Sequence, residues 1–106
     1  MTPTPFACNL GALTAVERGD HQQLTRRLAE AVVRTTEIAD GYAFEIDVHR
    51  MSIADLAAWT AFEHRCCPFF DFALEVRRED GPLTLRLTGS DGAKAFIRAE
   101  FPGHFR

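Results

Sequence analysis

The chain has 106 residues, of which 46% are hydrophobic and 25% are charged, a balance that suits one compact domain able to fold without a metal or a disulfide. Its net charge of −3 argues against a nucleic-acid-binding protein, because such proteins usually present a basic face. No apolar run approaches the roughly 20 residues of a membrane span, and the N-terminus lacks the pattern of a secretory signal. We therefore expect residues 1–106 to form a single cytoplasmic domain without nucleic-acid or membrane partners.

The first predicted elements are an irregular arm and a helix. Residues 1–13 contain two prolines and a glycine, which predict an irregular segment. Thr14 and Glu17 have the spacing of a capping box, in which a hydroxyl and a carboxylate satisfy free N–H groups at the start of a helix. Leucines at helical spacing continue the pattern to residue 31 or 32. The same spacing places His21 on the apolar stripe of this helix.

Two antiparallel strands are predicted next. Residues 33–39 are rich in β-branched side chains and lead into Asp40-Gly41, a dipeptide that favours a tight hairpin turn. Apolar and polar side chains then alternate over residues 42–48, as in a strand with one buried face. This alternation places His49 on the polar side of the sheet, where we expect it to be solvated.

A second hairpin and a short helix are predicted for the C-terminal part. Residues 72–77 and 83–88 each alternate apolar with polar side chains, and residues 89–92 can cap a last helix. The element order αββαββα predicts an α+β fold, in which the helices cover the apolar face of a four-stranded antiparallel sheet. We expect the polar face to be either solvated or a contact in a homodimer; it carries Glu45, Asp47, Glu75, Arg77 and Arg86.

Between the two hairpins, the sequence SIAD from Ser52 has capping-box spacing and predicts a helix that Pro68 ends. On a helical wheel, Glu63 falls in the middle of the apolar stripe, with Cys66 and Cys67 on either side of it. A carboxylate on a buried stripe is costly unless it is paired or bound to a cation. Glu63 therefore requires a partner that this helix does not supply.

Three interpretations of the segment EHRCCPFF remain open. In the first, Glu63 pairs with an arginine from a strand, and the cysteines are inert core residues, since free cysteine is among the most buried residue types. In the second, Cys66 and Cys67 bind a thiophilic ion such as Zn²⁺, Cu⁺ or Hg²⁺. Cys8, His21 or Glu63 then completes the site, and three cysteines with one histidine are an accepted zinc set.

In the third interpretation, Cys66 or Cys67 is the reactive thiol of a thiol-dependent oxidoreductase. Thiolates are favoured at helix N-termini and beside cations. These thiols are predicted at the negative C-terminal end of a helix and beside a carboxylate, and both effects raise the pKa of a thiol. The count of 3 cysteines is odd and disfavours a disulfide framework. A cytoplasmic protein is also expected to keep its thiols reduced.

The remaining histidines and aromatic residues have simpler explanations. His64, on the flank of its helix, and His104, in the C-terminal tail, are expected at the surface. Phe69 and Phe70 either line a pocket beside the cysteines or close the core. His21 can also be a hydrogen-bonded core histidine, because buried polar groups usually have such partners.

Four segments carry a resemblance to other proteins: FACNLGALT, ERGDH, the central E-x-x-C-C-P-F-F-D-F-x-L and the late L-R-L-T-G-x-x-G-A-K-x-F-I. They resemble a group of small, uncharacterised bacterial proteins over most of the chain, and the CCPF segment is the most specific part. The resemblance implies no activity, substrate or cofactor. The adjacent cysteines are also similar to pairs in mercury-handling proteins. The shared pattern that the resemblance implies contains Cys8, His21, Glu63, Cys66 and Cys67.

These patterns lead to one hypothesis and two alternatives. The hypothesis is a small bacterial protein that binds Zn²⁺ or another soft metal ion, with Cys66 and Cys67 as primary ligands. The alternatives are a thiol-dependent oxidoreductase and a structural or interaction module with inert cysteines. The expected partner is a metal ion or a small molecule, and the sequence assigns no enzymatic activity. The residues that complete the metal site in the hypothesis are Cys8, His21 and Glu63.

Overall fold

A computed structural model describes residues 8–101 of the protein, and the predicted αββαββα order and α+β class are confirmed. His104 lies outside the described residues. A 3₁₀ turn, Leu10–Ala12, precedes the first helix. In this part of the chain the helices are α1 (Ala15–Ala31), α2 (Ile53–Cys66) and α3 (Ala93–Glu100), and the strands are β1 (Val32–Ile38), β2 (Gly41–Ile46), β3 (Asp71–Val76) and β4 (Leu83–Thr88).

The strands form one antiparallel sheet in the order β1-β2-β4-β3. The two central strands come from different hairpins, and their pairing, with Phe44 opposite Leu85, joins the two halves of the chain. Side chains along β4 alternate regularly between buried and half-buried positions, as expected for a strand with one face in the core. The buried face therefore runs across both hairpins.

The core lies between this face and the helices. Trp59 of α2 is fully buried, and its indole N–H donates to the hydroxyl of Thr25 of α1 at 3.1 Å. This bond satisfies the polar end of a large apolar side chain and ties the two helices together. The larger core side chains are Leu24, Leu28, Tyr42, Phe44, Ile46, Met51, Leu56, Trp59, Phe70, Leu83, Leu85, Leu87, Ile97 and Phe101.

The two predicted capping boxes differ in the structure. Thr14 forms the complete box, because its hydroxyl accepts from the N–H of Glu17 and the Glu17 carboxylate accepts from the N–H of Thr14. At Ser52 only one half forms, since its hydroxyl accepts from the N–H of Asp55 at 3.1 Å. The Asp55 carboxylate instead lies 2.6 Å from Arg27 of α1. An ion pair between helices thus replaces the second capping bond.

The second strand is shorter than predicted. β2 ends at Ile46, and residues 48–50 form a turn in which the N–H of His49 donates to the Asp47 carboxylate at 2.9 Å. Aspartate favours such turns because its side chain can bind the backbone two residues further on. The prediction of a buried strand position for Val48 is therefore wrong, and this side chain is 44% exposed. His49 is exposed, as predicted, but in a turn.

The polar face of the sheet carries the predicted charged residues, apart from Asp47 and Arg77, which lie beyond the ends of β2 and β3. Glu75 accepts from Arg77 at 3.3 Å and from Arg86 at 3.4 Å. Val76, predicted to point into the core, is 57% exposed at the end of the edge strand β3. The homodimer contact on this face stays a prediction. No helix among residues 8–101 has the length and hydropathy needed to cross a membrane.

Candidate metal centre

The C-terminal end of α2 presents two adjacent cysteines. Cys66 is the last residue of the helix, and Cys67 is its C-cap, with an N–H that donates to the carbonyl of Glu63 at 2.6 Å. Pro68 follows directly, so the helix ends where the sequence predicts. Both cysteines are 0% exposed, and their Sγ atoms lie 3.9 Å apart. The thiol pair is therefore part of the core.

The N-terminal arm brings Cys8 to the same place, where it forms a disulfide with Cys67. The expectation that all thiols stay reduced is wrong for this pair. An odd number of cysteines excludes complete pairing, but it leaves room for one bond between residues that are 59 positions apart in the sequence. Cys66 is the remaining thiol, and it is buried.

Two hydrogen bonds hold the arm on α2 in addition to the disulfide. The N–H of Asn9 donates to the carbonyl of Cys66 at 2.7 Å. The guanidinium of Arg65 donates to the carbonyl of Ala12 at 2.8 Å. Neither bond involves a sulfur atom, so the arm has contacts with α2 that are independent of the disulfide.

The buried carboxylate of Glu63 has a histidine partner. Its Oε2 lies 2.6 Å from Nε2 of His21, and the two side chains are 7% and 13% exposed, respectively. When this carboxylate is ionised it can only accept, and Nε2–H of His21 is then the donor. The predicted arginine partner from a strand is wrong, because α1 packs against α2 and carries His21 to this position. The prediction that His21 lies on a largely buried stripe is confirmed.

Cys66 joins two overlapping groups of potential ligands. The Sγ atoms of Cys8, Cys66 and Cys67 all lie within 4.8 Å of one another, and the same holds for one ligand atom each of His21, Glu63 and Cys66. The structure thus places the predicted residues in two groups that share Cys66. Such a group can hold a metal ion, because thiolate and imidazole ligands suit soft ions.

The spacing of the sulfurs is compatible with tetrahedral coordination. With a Zn–S distance of about 2.3 Å, two sulfurs of a tetrahedral site lie about 3.8 Å apart. The Sγ atoms of Cys66 and Cys67 are 3.9 Å apart. Adjacent cysteines at this helix end can therefore share one ion, although they lack the spacing of the common C-x-x-C motif.

The environment of Cys66 disfavours its thiolate. Burial and, secondly, the negative charge of Glu63 raise the pKa of Cys66 to about 11. The sequence predicts this direction from the helix end and the carboxylate, but the largest cause is burial. At pH 7 such a thiol is ionised in about one molecule in 10,000. Cys66 is therefore a poor nucleophile, whereas a bound cation would favour the thiolate directly.

Glu100, at the end of α3, is an acidic neighbour that the sequence did not reveal. Partial burial of its carboxylate and the charge of Glu63 raise the pKa of Glu100, while His21 opposes this effect. Its position depends on how α3 packs across the sheet, and no local pattern encodes that. Its presence makes the cluster more attractive to a cation.

The other predicted candidates lie around the cluster. Phe70 is 5% exposed, and its ring centroid lies 4.8 Å from that of Phe69 and 5.7 Å from that of Phe96 of α3. These rings close the core behind the cysteines. His64 is exposed, as predicted, and its ring meets the edge of Phe72 with centroids 6.0 Å apart.

The ligand types and distances above are the basis for any functional assignment. Thiols, an imidazole and a carboxylate within a few ångströms define the chemistry that is possible at this helix end. Comparisons with protein-family models, curated proteins and solved structures found no match to this chain.

Proposed function

We propose that the protein, in its reduced state, binds a thiophilic metal ion through the thiolates of Cys8, Cys66 and Cys67. The observation that carries this proposal is the convergence of three sulfur atoms within 4.8 Å of one another at a helix end. Soft ions such as Zn²⁺, Cu⁺ and Hg²⁺ select thiolate ligands. Zn²⁺ is the ion for which the additional imidazole is most suitable, since three cysteines and one histidine form a common structural zinc set.

The charges around the cluster also favour a cation. Three thiolates would place three negative charges next to Glu63, and buried charges are costly without compensation. Arg65 is near in sequence, but its guanidinium is engaged with the Glu17 carboxylate at 2.6 Å. A bound metal ion would compensate the thiolates directly, at the sulfur atoms themselves.

His21 and Glu63 have complementary roles in this proposal. In many metal sites, the histidine ligand donates its second ring N–H to a carboxylate, which fixes the tautomer and the ring orientation. The pair observed here, at 2.6 Å, has this composition. In the tautomer in which Nε2–H donates to Glu63, Nδ1 carries the lone pair that is available to a metal. Glu63 then acts as a support for the fourth ligand.

The first experiment compares metal binding by the reduced wild type and a Cys66→Ser Cys67→Ser variant. Both proteins are purified with a reductant and without chelator, and are then titrated with Zn²⁺, Cu⁺ or Hg²⁺. We expect one ion per wild-type chain and a large loss of affinity in the variant. A wild type that binds none of the three ions more tightly than the variant would contradict the proposal.

A second variant separates lost ligands from lost folding. Cys66 and Cys67 are fully buried, so changing both also perturbs the core. Cys8 is half-buried on the arm, and Cys8→Ser removes one sulfur ligand with little effect on packing. We expect this single variant to keep the native circular dichroism spectrum and to bind Zn²⁺ more weakly than the reduced wild type.

Thiol–disulfide exchange is the second candidate function, and the Cys8–Cys67 disulfide is the observation that favours it. Cys66 contributes little to such a reaction, because its pKa is raised to about 11. An oxidoreductase would therefore use Cys8 and Cys67 as its redox pair. The test is reduction of a small disulfide substrate by dithiothreitol with and without the protein. A rate equal to that of the uncatalysed reaction would exclude this candidate.

A further inference from the structure

We infer that the Cys8–Cys67 disulfide is a redox gate, which means that the metal centre cannot form while this bond is intact. Low-molecular-weight thiols open the gate when they attack the sulfur of Cys8 and reduce the bond. This inference rests on the proposed metal-binding function and adds its regulation. It assigns a site of thiol exchange, Cys8, and a class of reactant, small thiols and their disulfides. The expected behaviour is a protein that accepts a soft ion only after the disulfide has been reduced.

The disulfide and the metal compete for the same atoms. Metal ligation requires thiolates, and the disulfide joins two of the three sulfurs of the cluster to each other. In that state Cys66 is the one free thiol, and it is buried beside a carboxylate. The group that the disulfide leaves intact, His21, Glu63 and Cys66, offers a single sulfur, so we expect the oxidised protein to bind a soft ion much more weakly.

The exposure of the two bonded sulfurs predicts which of them a small thiol attacks. Cys66 and Cys67 are 0% exposed, whereas Cys8 is only partly buried where it packs on the core. The rate of thiol–disulfide exchange depends on which sulfur an attacking thiolate can reach. Attack is therefore expected at Cys8, with Cys67 as the leaving group.

The exchange balances in two steps. A small thiolate forms a bond to Sγ of Cys8 while the Cys8–Cys67 bond breaks, and the Cys67 thiolate that leaves takes up a proton. A second small thiolate then attacks the small-molecule sulfur of the mixed disulfide, and Cys8 leaves as a thiolate that is protonated in turn. Two electrons pass from two small thiols to the protein, and one small disulfide is released. The reverse reaction with that disulfide closes the gate.

Contacts without sulfur keep the opened site together. The bonds from Asn9 to the Cys66 carbonyl, 2.7 Å, and from Arg65 to the Ala12 carbonyl, 2.8 Å, contain no sulfur, so we expect them to persist after reduction. Without them, the short arm that precedes Ala15 would have to be ordered on α2 again, at a cost in conformational entropy. The arm therefore presents Cys8 as a ready ligand as soon as the disulfide is reduced.

The test uses the wild-type chain in two redox states, with Zn²⁺ alone as the probe. Counting thiols in denaturant should give one in the oxidised sample, from Cys66, and 3 after treatment with glutathione. Competition with a chromophoric chelator then measures Zn²⁺ affinity. We expect the oxidised protein to bind Zn²⁺ at least about 100-fold more weakly, because it has lost two thiolate ligands.

Coupling must act in both directions, because linkage between two equilibria is reciprocal. Zn²⁺ bound to the reduced protein should slow closure of the disulfide by oxidised glutathione. Cys66→Ala is the matched control, since it keeps both partners of the disulfide and removes one ligand. In this variant, Zn²⁺ should slow the oxidation of Cys8 and Cys67 by oxidised glutathione less than it does in the wild type. Brief exposure to glutathione followed by acid quenching should trap the mixed disulfide on Cys8.

The possible results distinguish a failure of the redox-gate proposal from a failure of the metal-binding proposal. Equal Zn²⁺ affinity in the two redox states would overturn the gate and leave the metal proposal standing. Absence of binding in a sample with all 3 thiols counted as free would overturn the metal proposal itself. A mixed disulfide on Cys67 instead of Cys8 would overturn the direction of attack. A count of three thiols after exposure to oxidised glutathione would show that no gate closes.

Discussion

The substitution His21→Ala tests whether the buried carboxylate of Glu63 depends on its histidine. The two side chains are 13% and 7% exposed and meet at 2.6 Å. Removing His21 leaves the buried Glu63 side chain without its hydrogen-bond partner, and truncating one member of a buried pair typically costs about 3–5 kcal/mol. Domains of ordinary stability have a free energy of unfolding of about 5–15 kcal/mol, so this loss is a large fraction of the total.

A second pair between the same helices supplies the control. Arg27 and Asp55 also meet at 2.6 Å, but their side chains are 47% and 39% exposed. Exposed pairs contribute about 0–1 kcal/mol. Arg27→Ala should therefore lower the free energy of unfolding by no more than this amount, although the distance between the charged atoms is the same.

The assay is urea unfolding of the oxidised protein in the presence of a chelator, monitored by circular dichroism at pH 7. These conditions exclude any contribution from a bound metal. We expect His21→Ala to lower the midpoint strongly and Arg27→Ala to leave it nearly unchanged. A double variant, His21→Leu Glu63→Leu, should recover much of the loss, because apolar replacements of a buried pair are often neutral. Equal, small effects of His21→Ala and Arg27→Ala would refute the reasoning.

Three further predictions concern stability and thiol reactivity. Cys8→Ser should lower the free energy of unfolding of the oxidised protein by about 4 kcal/mol in urea titrations, since the disulfide closes a loop over a sequence separation of 59; a loss below about 1 kcal/mol would contradict this. The pKa of Cys66 is raised from 9.0 to about 11, so the folded protein holds this proton more tightly than the unfolded chain. The stability that this proton contributes is complete below pH 9.0 and is lost as the pH rises through about 11. Alkylation of folded Cys66 by iodoacetamide should accelerate over the same interval. An alkylation rate that levels off near pH 8 would contradict the raised pKa of Cys66. Gly41→Ala should destabilise the protein, because a Cβ there would overlap the carbonyl of Leu87. Gly19→Ala, in an open position of α1, should instead stabilise it by about 0.5–1 kcal/mol in the same titration.

Local chemistry explains why most of the fold could be predicted. The capping box at Thr14 and the turn at Asp40-Gly41 act within a few residues; the first is found where the sequence places it, and the second lies one residue earlier, at Ala39-Asp40. The prediction failed where tertiary structure or a competing local bond decided the outcome. The Asp47 side chain ends β2 early through its bond to His49. Val76 lies at the end of an edge strand, where it is exposed despite its alternating position.

The candidate site was predictable in composition but not in pairing. Helical periodicity revealed that Glu63 needed a partner, because the wheel depends only on the sequence of α2. It could not name His21, which lies 42 residues away in the sequence. The Cys8–Cys67 bond was missed for the same reason, and an odd cysteine count pointed the other way. No sequence pattern indicated that Glu100 lies near the site, since its position there depends on the packing of α3.

The most direct test of the central claim is the absorption spectrum of the reduced protein titrated with Co²⁺, a spectroscopic substitute for Zn²⁺. Thiolate ligands produce charge-transfer bands whose intensity reports the number of sulfurs bound, and the visible bands report tetrahedral geometry. We predict saturation at one Co²⁺ per chain, with an intensity typical of three thiolates that falls in Cys8→Ser and in Cys66→Ala. Absence of a charge-transfer band in the fully reduced wild type, or a spectrum unchanged by both substitutions, would contradict a metal centre built on these cysteines.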